Sequence, residues 1–138
     1  ETSHPYITTV SDSDIGDART FSPCESNKES CFAPRGWAYN VIKINNTVDA
    51  TYTFMINGEA NGSQNAESHF EGRIVTMANG EPAYHSIDMK NALDGTKNIE
   101  VTGDTDEIYL VIISVPEHFT SYQTYGYDVE INRSLISP

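Results

Sequence analysis

Alternation between inward and outward side chains is the feature that most restricts this chain. Ala50-Thr-Tyr-Thr-Phe-Met-Ile56 places Ala50, Tyr52, Phe54 and Ile56 on one face and Thr51 and Thr53 on the other. Tyr125-Gly-Tyr-Asp-Val-Glu-Ile131 does the same, with Tyr125, Tyr127, Val129 and Ile131 inward and Asp128 and Glu130 outward. Ile108-Tyr-Leu-Val-Ile-Ile-Ser-Val115 is apolar at almost every position and stops at Pro116, the pattern of a central strand covered on both sides. Tyr6–Val10, Tyr39–Ile44, Phe70–Met77, Ala83–Asp88 and Ile99–Thr102 are further strand candidates. No long window carries a 3.6-residue period, and Ile87–Leu93 has room for one helical turn at most.

Between these runs stand Asn45-Asn46, Asn57-Gly58, Asn79-Gly80, Asp94-Gly95 and Gly103-Asp104, residues that tolerate positive φ in turns. Asn79-Gly80, flanked by Ile74–Met77 and Ala83–Asp88, is the clearest hairpin signal. Short strands at this spacing predict an all-β fold, an antiparallel β-sandwich of jelly-roll or immunoglobulin-like type with about eight or nine strands. The length of 138 residues suits a single sandwich domain over 1–138. The stretch from Ser11 to Pro34 is polar and acidic, and reads as a loop-rich crossing before the sandwich proper.

Charge excludes whole classes of partner. Eight Lys and Arg against 20 Asp and Glu give a net charge of −12, a field that repels nucleic-acid backbones and anionic membrane surfaces. No apolar run approaches the length of a bilayer span, so membrane insertion is not expected. The chain opens at Glu1 without a basic and apolar leader, and reads as a mature or excised piece whose targeting segment lies outside it.

Cys24 and Cys31 enclose Glu-Ser-Asn-Lys-Glu-Ser, a spacing that fits neither a zinc site nor a redox pair. Local pairing would close a loop of about 8 residues and contribute roughly 2–2.5 kcal/mol. It would also place the chain in an oxidising, exported setting. The acidic group Asp12, Asp14 and Asp17 around Gly16 supplies oxygen donors of the kind calcium takes, without the full EF-hand pattern. A structural calcium ion is therefore the one cofactor considered, against solvated acidic turns; Gly103-Asp-Thr-Asp106-Glu107 is a second such loop.

Catalytic signatures are missing. His4, His69, His85 and His118 show no metal-ligand spacing, and there is no nucleophile elbow, phosphate loop or zinc-protease helix. A triad assembled from distant strands around His85 or His118 is left as a minor alternative. Glycan recognition needs flat rings beside amides and hydroxyls. Trp37, Tyr122 and Tyr125, with Gln123 and the polar loop Asn57–Ser68 carrying Asn61 and Gln64, are the candidates. Trp37 serves equally as a core anchor, and Tyr122 as a half-covered surface ring. The three Asn-x-Ser/Thr sequons at Asn45, Asn61 and Asn132 are glycosylation signals only in a eukaryotic secreted protein.

Pro34-Arg-Gly-Trp-Ala-Tyr-Asn40-Val-Ile-Lys-Ile44, Arg73-Ile-Val, Gly80-Glu-Pro-Ala-Tyr84-His-Ser86 and Tyr109-Leu-Val-Ile-Ile-Ser-Val-Pro116 together resemble the uncharacterised C-terminal β-sandwich domain of secreted bacterial, peptidase-like proteins. The resemblance spans about Asp14 to Ile131; the acidic loops and the Cys24–Cys31 segment lie outside its pattern. It implies export, a sandwich and a non-catalytic accessory role, and it makes the sequons chance matches. The expected partners are a polysaccharide or glycoprotein glycan and a neighbouring module of the same polypeptide. A ligand-free domain that packs on that module, and a small hydrolase, are the alternatives.

Overall fold

The computed structural model describes residues 6–24, 38–61, 69–90, 94–115 and 124–136. Ten strands and one helical turn follow in order: β1 (Tyr6–Ser11), α1 (Asp12–Ile15), β2 (Ala18–Cys24), β3 (Ala38–Asn45), β4 (Ala50–Asn61), β5 (His69–Ala78), β6 (Glu81–Ile87), β7 (Met89–Lys90), β8 (Asp94–Val101), β9 (Thr105–Val115) and β10 (Thr124–Leu135). They form two five-stranded sheets. The first, sheet A, has the order β1-β3-β9-β5-β6, and the second, sheet B, β2-β10-β4-β8-β7. Every pairing is antiparallel except β1 with β3, which run parallel. Only β5–β6 and β7–β8 follow one another within a sheet, so nearly every connection carries the chain from one layer to the other.

The β-sandwich expected from alternation is what forms. Tyr52, Phe54 and Ile56 of β4 and Val129 and Ile131 of β10 are fully buried against Ile42, Ile44, Ile74, Ile108, Leu110 and Ile112 of sheet A. Burying the β-branched and aromatic faces of two pleated layers removes apolar surface from water at about 25 cal/mol per Å², which drives the layers together.

The hairpin joining β5 to β6 shows how local chemistry sets register. Asn79 and Gly80 have φ of 53° and 79°, and Ala78 faces Glu81 across the turn. Two consecutive positive φ values match the right-handed twist of the flanking strands. A Cβ on Gly80 would meet nothing within 4 Å, so Gly80→Ala isolates the backbone contribution. We expect it to cost about 1 kcal/mol in urea denaturation; an unchanged midpoint would mean that the turn relaxes.

Four expectations need correction. The Ser11–Pro34 stretch is not all loop, because it holds α1 and β2. The only helical turn among the described residues is α1, and β7 occupies Met89–Lys90, within the segment given room for a helical turn. Asn57-Gly58 and Asp94-Gly95 are strand, not turn: Asn57 faces Asp94, and Gly95 is buried opposite Ile56. Finally, β9 is only partly covered on its outer side: Ile108, Leu110 and Ile112 point into the core, whereas on the other face Ile113 is buried but Tyr109 and Val111 are only half-buried.

Candidate functional site

The outer face of sheet A is assembled by register. Thr9, Lys43, Tyr109, Val75 and Tyr84 stand directly opposite one another across all five strands. Beside them runs a second row, Ile7, Val41, Val111, Arg73 and Ser86. On β3, β5 and β9 the neighbours along each strand are buried, so alternation turns these positions outward, and on the edge strands β1 and β6 Ile7, Thr9, Tyr84 and Ser86 are exposed. Tyr84 lies on the edge strand β6 and is 75% exposed; Ile7 on the opposite edge is 60% exposed. Tyr84 and Tyr109 are two strands apart, roughly 10 Å, with Val75 between them.

Charged groups are interleaved with this apolar and aromatic surface. Lys43 Nζ is 3.1 Å from Glu107 Oε2 and lies 5.7 Å from the centroid of the Tyr109 ring. The Tyr109 hydroxyl donates to Glu107 Oε1 at 2.8 Å. That bond, and then Lys43, hold the Glu107 carboxyl below its ordinary range, while the Glu107 hydrogen bond raises both Lys43 and Tyr109. A second pair, Arg73 with Glu71 at 3.1 Å, sits next to it. The face thus offers ring and aliphatic surface, two cations and two carboxylates on one side of the sheet.

The carboxylates read as calcium donors have other partners. Asp14 Oδ2 accepts from Ser11 N at 3.1 Å while Ser11 Oγ accepts from Asp14 N at 3.3 Å, a capping box that starts α1. Those bonds lower the Asp14 pKa. Asp12, only 6% exposed, accepts from both Thr47 N and Thr47 Oγ1 through Oδ2, at 2.7 and 2.8 Å. Asp17 is exposed, and its carbonyl accepts from Arg133 N at 2.8 Å. The structure does not bring the three together, and no group of three His, Cys, Asp or Glu side chains gathers as metal ligands among the described residues.

The aromatic loop surface expected around Tyr122 fares differently. Trp37, Tyr122, Gln123 and Gln64 lie outside the described residues. Tyr125 and Asn61 belong to strands rather than loops: Tyr125 faces Ala60, and Asn61 faces Thr124, where β10 and β4 begin and end their pairing. Cys24 closes β2 opposite Tyr127 and Cys31 is outside the described residues, so the Cys24–Cys31 bond stands as an expectation. Thiol titration of the denatured, unreduced chain should find no reactive thiol; two would remove the bond and the export argument built on it. His85 is half-buried on β6, opposite Ile74, and His4 and His118 are not described.

Sequence reasoning missed two features. One is the Tyr84–Val75–Tyr109 row, whose members lie on three different strands. The other is Asn46, 4% exposed, which was read as a turn residue. Its Nδ2 donates to the carbonyls of Val48, Thr102 and Thr105 at 2.9, 3.2 and 3.0 Å, and its Oδ1 accepts from the Tyr52 hydroxyl at 2.8 Å. A shallow cleft of about 360 Å³ beside it is lined by Thr47, Val48, Asp49, Leu135 and Ile136. Asp49 holds that corner together, accepting from Gly103 N at 2.6 Å and, by its carbonyl, from Ile136 N at 3.0 Å.

No family model and no curated protein matches the chain. Among solved structures it is similar to the pre-peptidase C-terminal domain of a collagenase from Bacillus anthracis, at TM-score 0.48 and 8% identity over 96% of this chain and 100% of that one. It is also similar to PliG, a periplasmic inhibitor of g-type lysozyme from Salmonella Typhimurium, at TM-score 0.49 and 7% identity over 95% and 100%. A third likeness is to the CBM22-1–GH10 modules of xylanase 10B from Clostridium thermocellum, complexed with xylohexaose, at TM-score 0.40 and 14% identity over 68% and 18%. At these scores the likenesses carry no argument about function. No helix among the described residues is long and apolar enough to cross a membrane.

Proposed function

We propose that this is a non-catalytic accessory domain of an exported protein, and that it binds a polysaccharide through the outer face of sheet A. The observation that carries this is the row of Tyr84, Val75 and Tyr109 across three neighbouring strands, flanked by Lys43–Glu107 and Arg73–Glu71. Sugar rings present C–H faces that stack on aromatic surfaces and hydroxyls that both donate and accept. An open sheet face matches the length of a polymer better than a closed pocket does. Such binding would hold an attached module at its target.

Affinity electrophoresis in gels containing hydroxyethyl cellulose, arabinoxylan, galactomannan, polygalacturonate or mucin tests the proposal. Tyr84→Ala should weaken retention about tenfold, the scale of one lost ring contact, and change stability by less than about 0.5 kcal/mol because the ring is exposed. Retention by no polymer, or retention indifferent to Tyr84→Ala, would defeat it. The row of Ile7, Val41 and Val111 supports a second reading, a ligand-free domain that packs this face on a neighbouring module. That reading expects no retention on any polymer.

A further inference from the structure

Resting on the sheet A reading, we infer that the ligand is an uncharged polysaccharide, selected against charged ones by the way this face cancels its own charge. Both cations in the two rows have a carboxylate of their own: Lys43 with Glu107 at 3.1 Å and Arg73 with Glu71 at 3.1 Å. The patch sums to zero, and the chain around it carries −12. A uronate or sulfate polymer therefore meets no net positive potential on the patch and a repelling field beyond it. At Lys43 and Arg73 it competes with a carboxylate already held in place and meets a charge that is already cancelled. Glu107 is the harder of the two to displace, because the Tyr109 hydroxyl also donates to it at 2.8 Å.

A cationic polymer gains from the surrounding field, but it faces the same difficulty at the patch, where both carboxylates already hold a cation. Sugar hydroxyls need no such exchange. The ammonium of Lys43 and the guanidinium of Arg73 keep donors beyond those facing Glu107 and Glu71, carboxylate oxygens accept more than one hydrogen bond, and Thr9 and Ser86 close the ends of the two rows with hydroxyls. Paired charges thus act as fixed hydrogen-bonding groups, and the rings between them supply the stacking surface.

The experiment separates this inference from the reading beneath it. Retention should appear on hydroxyethyl cellulose, arabinoxylan or galactomannan and be absent on polygalacturonate and mucin, and retention on chitosan should fade with salt and survive Tyr84→Ala. Retention on the neutral polymers should change less than about twofold between roughly 0.05 and 0.5 M salt, since no long-range attraction is screened away. The double variant Glu71→Gln, Glu107→Gln unpairs Arg73 and Lys43, and should gain retention on polygalacturonate that fades with salt. Binding to charged polymers alone, still abolished by Tyr84→Ala, would overturn the inference and leave the sheet A site intact. Binding to a neutral polymer that Tyr84→Ala does not weaken would overturn the site itself.

Discussion

Asn46→Ala should be the most damaging single substitution at a polar position, lowering unfolding free energy by about 3–4 kcal/mol. The side chain sits where β3 leaves sheet A for β4 in sheet B. From there it reaches Val48 in the same connection, Thr102 and Thr105 on either side of the β8–β9 turn, and Tyr52 in β4. Its own backbone N–H donates to Asp106 O at 2.9 Å. Truncation leaves three carbonyls and one hydroxyl without that partner in a nearly dry corner, and each buried unsatisfied group costs about 1–3 kcal/mol before relaxation. Against a typical total of about 5–15 kcal/mol, such a loss is severe. Asn46→Asp keeps the acceptor for Tyr52 but removes both amide donors, so it should be nearly as harmful. Urea denaturation at neutral pH measures all three proteins; a change below about 1 kcal/mol for Asn46→Ala would show that water replaces the amide.

The same corner gives the fold an alkaline limit. Burial first, and then the Asp12 carboxylate, push the Tyr52 hydroxyl up to about 12, against a smaller lowering by Arg133. Burial also raises Tyr127. A hydroxyl whose folded pKa lies above its unfolded value of about 10 contributes stability that is fully present below 10. That stability is lost as pH rises from 10 through about 12, because the unfolded chain ionises first and gains the ionisation free energy.

Alternation made β4 and β10 legible because a sandwich commits one face of each strand to the core, and side chains announce that commitment two residues at a time, whereas β9 was legible as an unbroken apolar run. The rest was hidden for identifiable reasons. β2, at the edge of its sheet, carries one buried apolar residue among its described side chains, Phe21, too few to show alternation. Pro23 sits where the β2–β10 register slips between Tyr127 and Val129, a place where a missing N–H is tolerated. Asn46 has a turn residue's identity, and only the β8–β9 turn, more than fifty positions away, reveals it as a buried connector. The binding face was hidden most completely. Tyr84 and Tyr109 became neighbours of Val75 through pairings that a sequence does not state.

Gly72→Val should cost about 2–3 kcal/mol although valine is the better strand former. Gly72 lies in β5 opposite Ile112 and Ile87, facing the other layer. A Cβ there would stand 2.8 Å from Ile56 Cδ1, 2.9 Å from Ile87 Cδ1 and 3.3 Å from Ile87 Cβ. The first contact crosses from sheet A to sheet B, so the missing side chain lets the two layers close at this point. Alanine would need only the two methyl ends to turn aside, and its gain in chain stiffness offsets part of that; valine adds two more carbons to space already filled. Ile56 is fully buried and Ile87 nearly so, which leaves neither an empty direction to rotate into. The remaining adjustment is an outward shift of β5, which carries Glu71, Arg73 and Val75 of the proposed binding face. Gly72→Val should therefore weaken polysaccharide retention as well as stability, even at temperatures where it is fully folded. Adding Ile56→Val should restore part of both, since it removes the methyl that the new side chain meets first, and the two substitutions share one volume. A Gly72→Val protein as stable as the parent would mean that Ile56 and Ile87 repack without moving the strand, and its retention should then be unchanged.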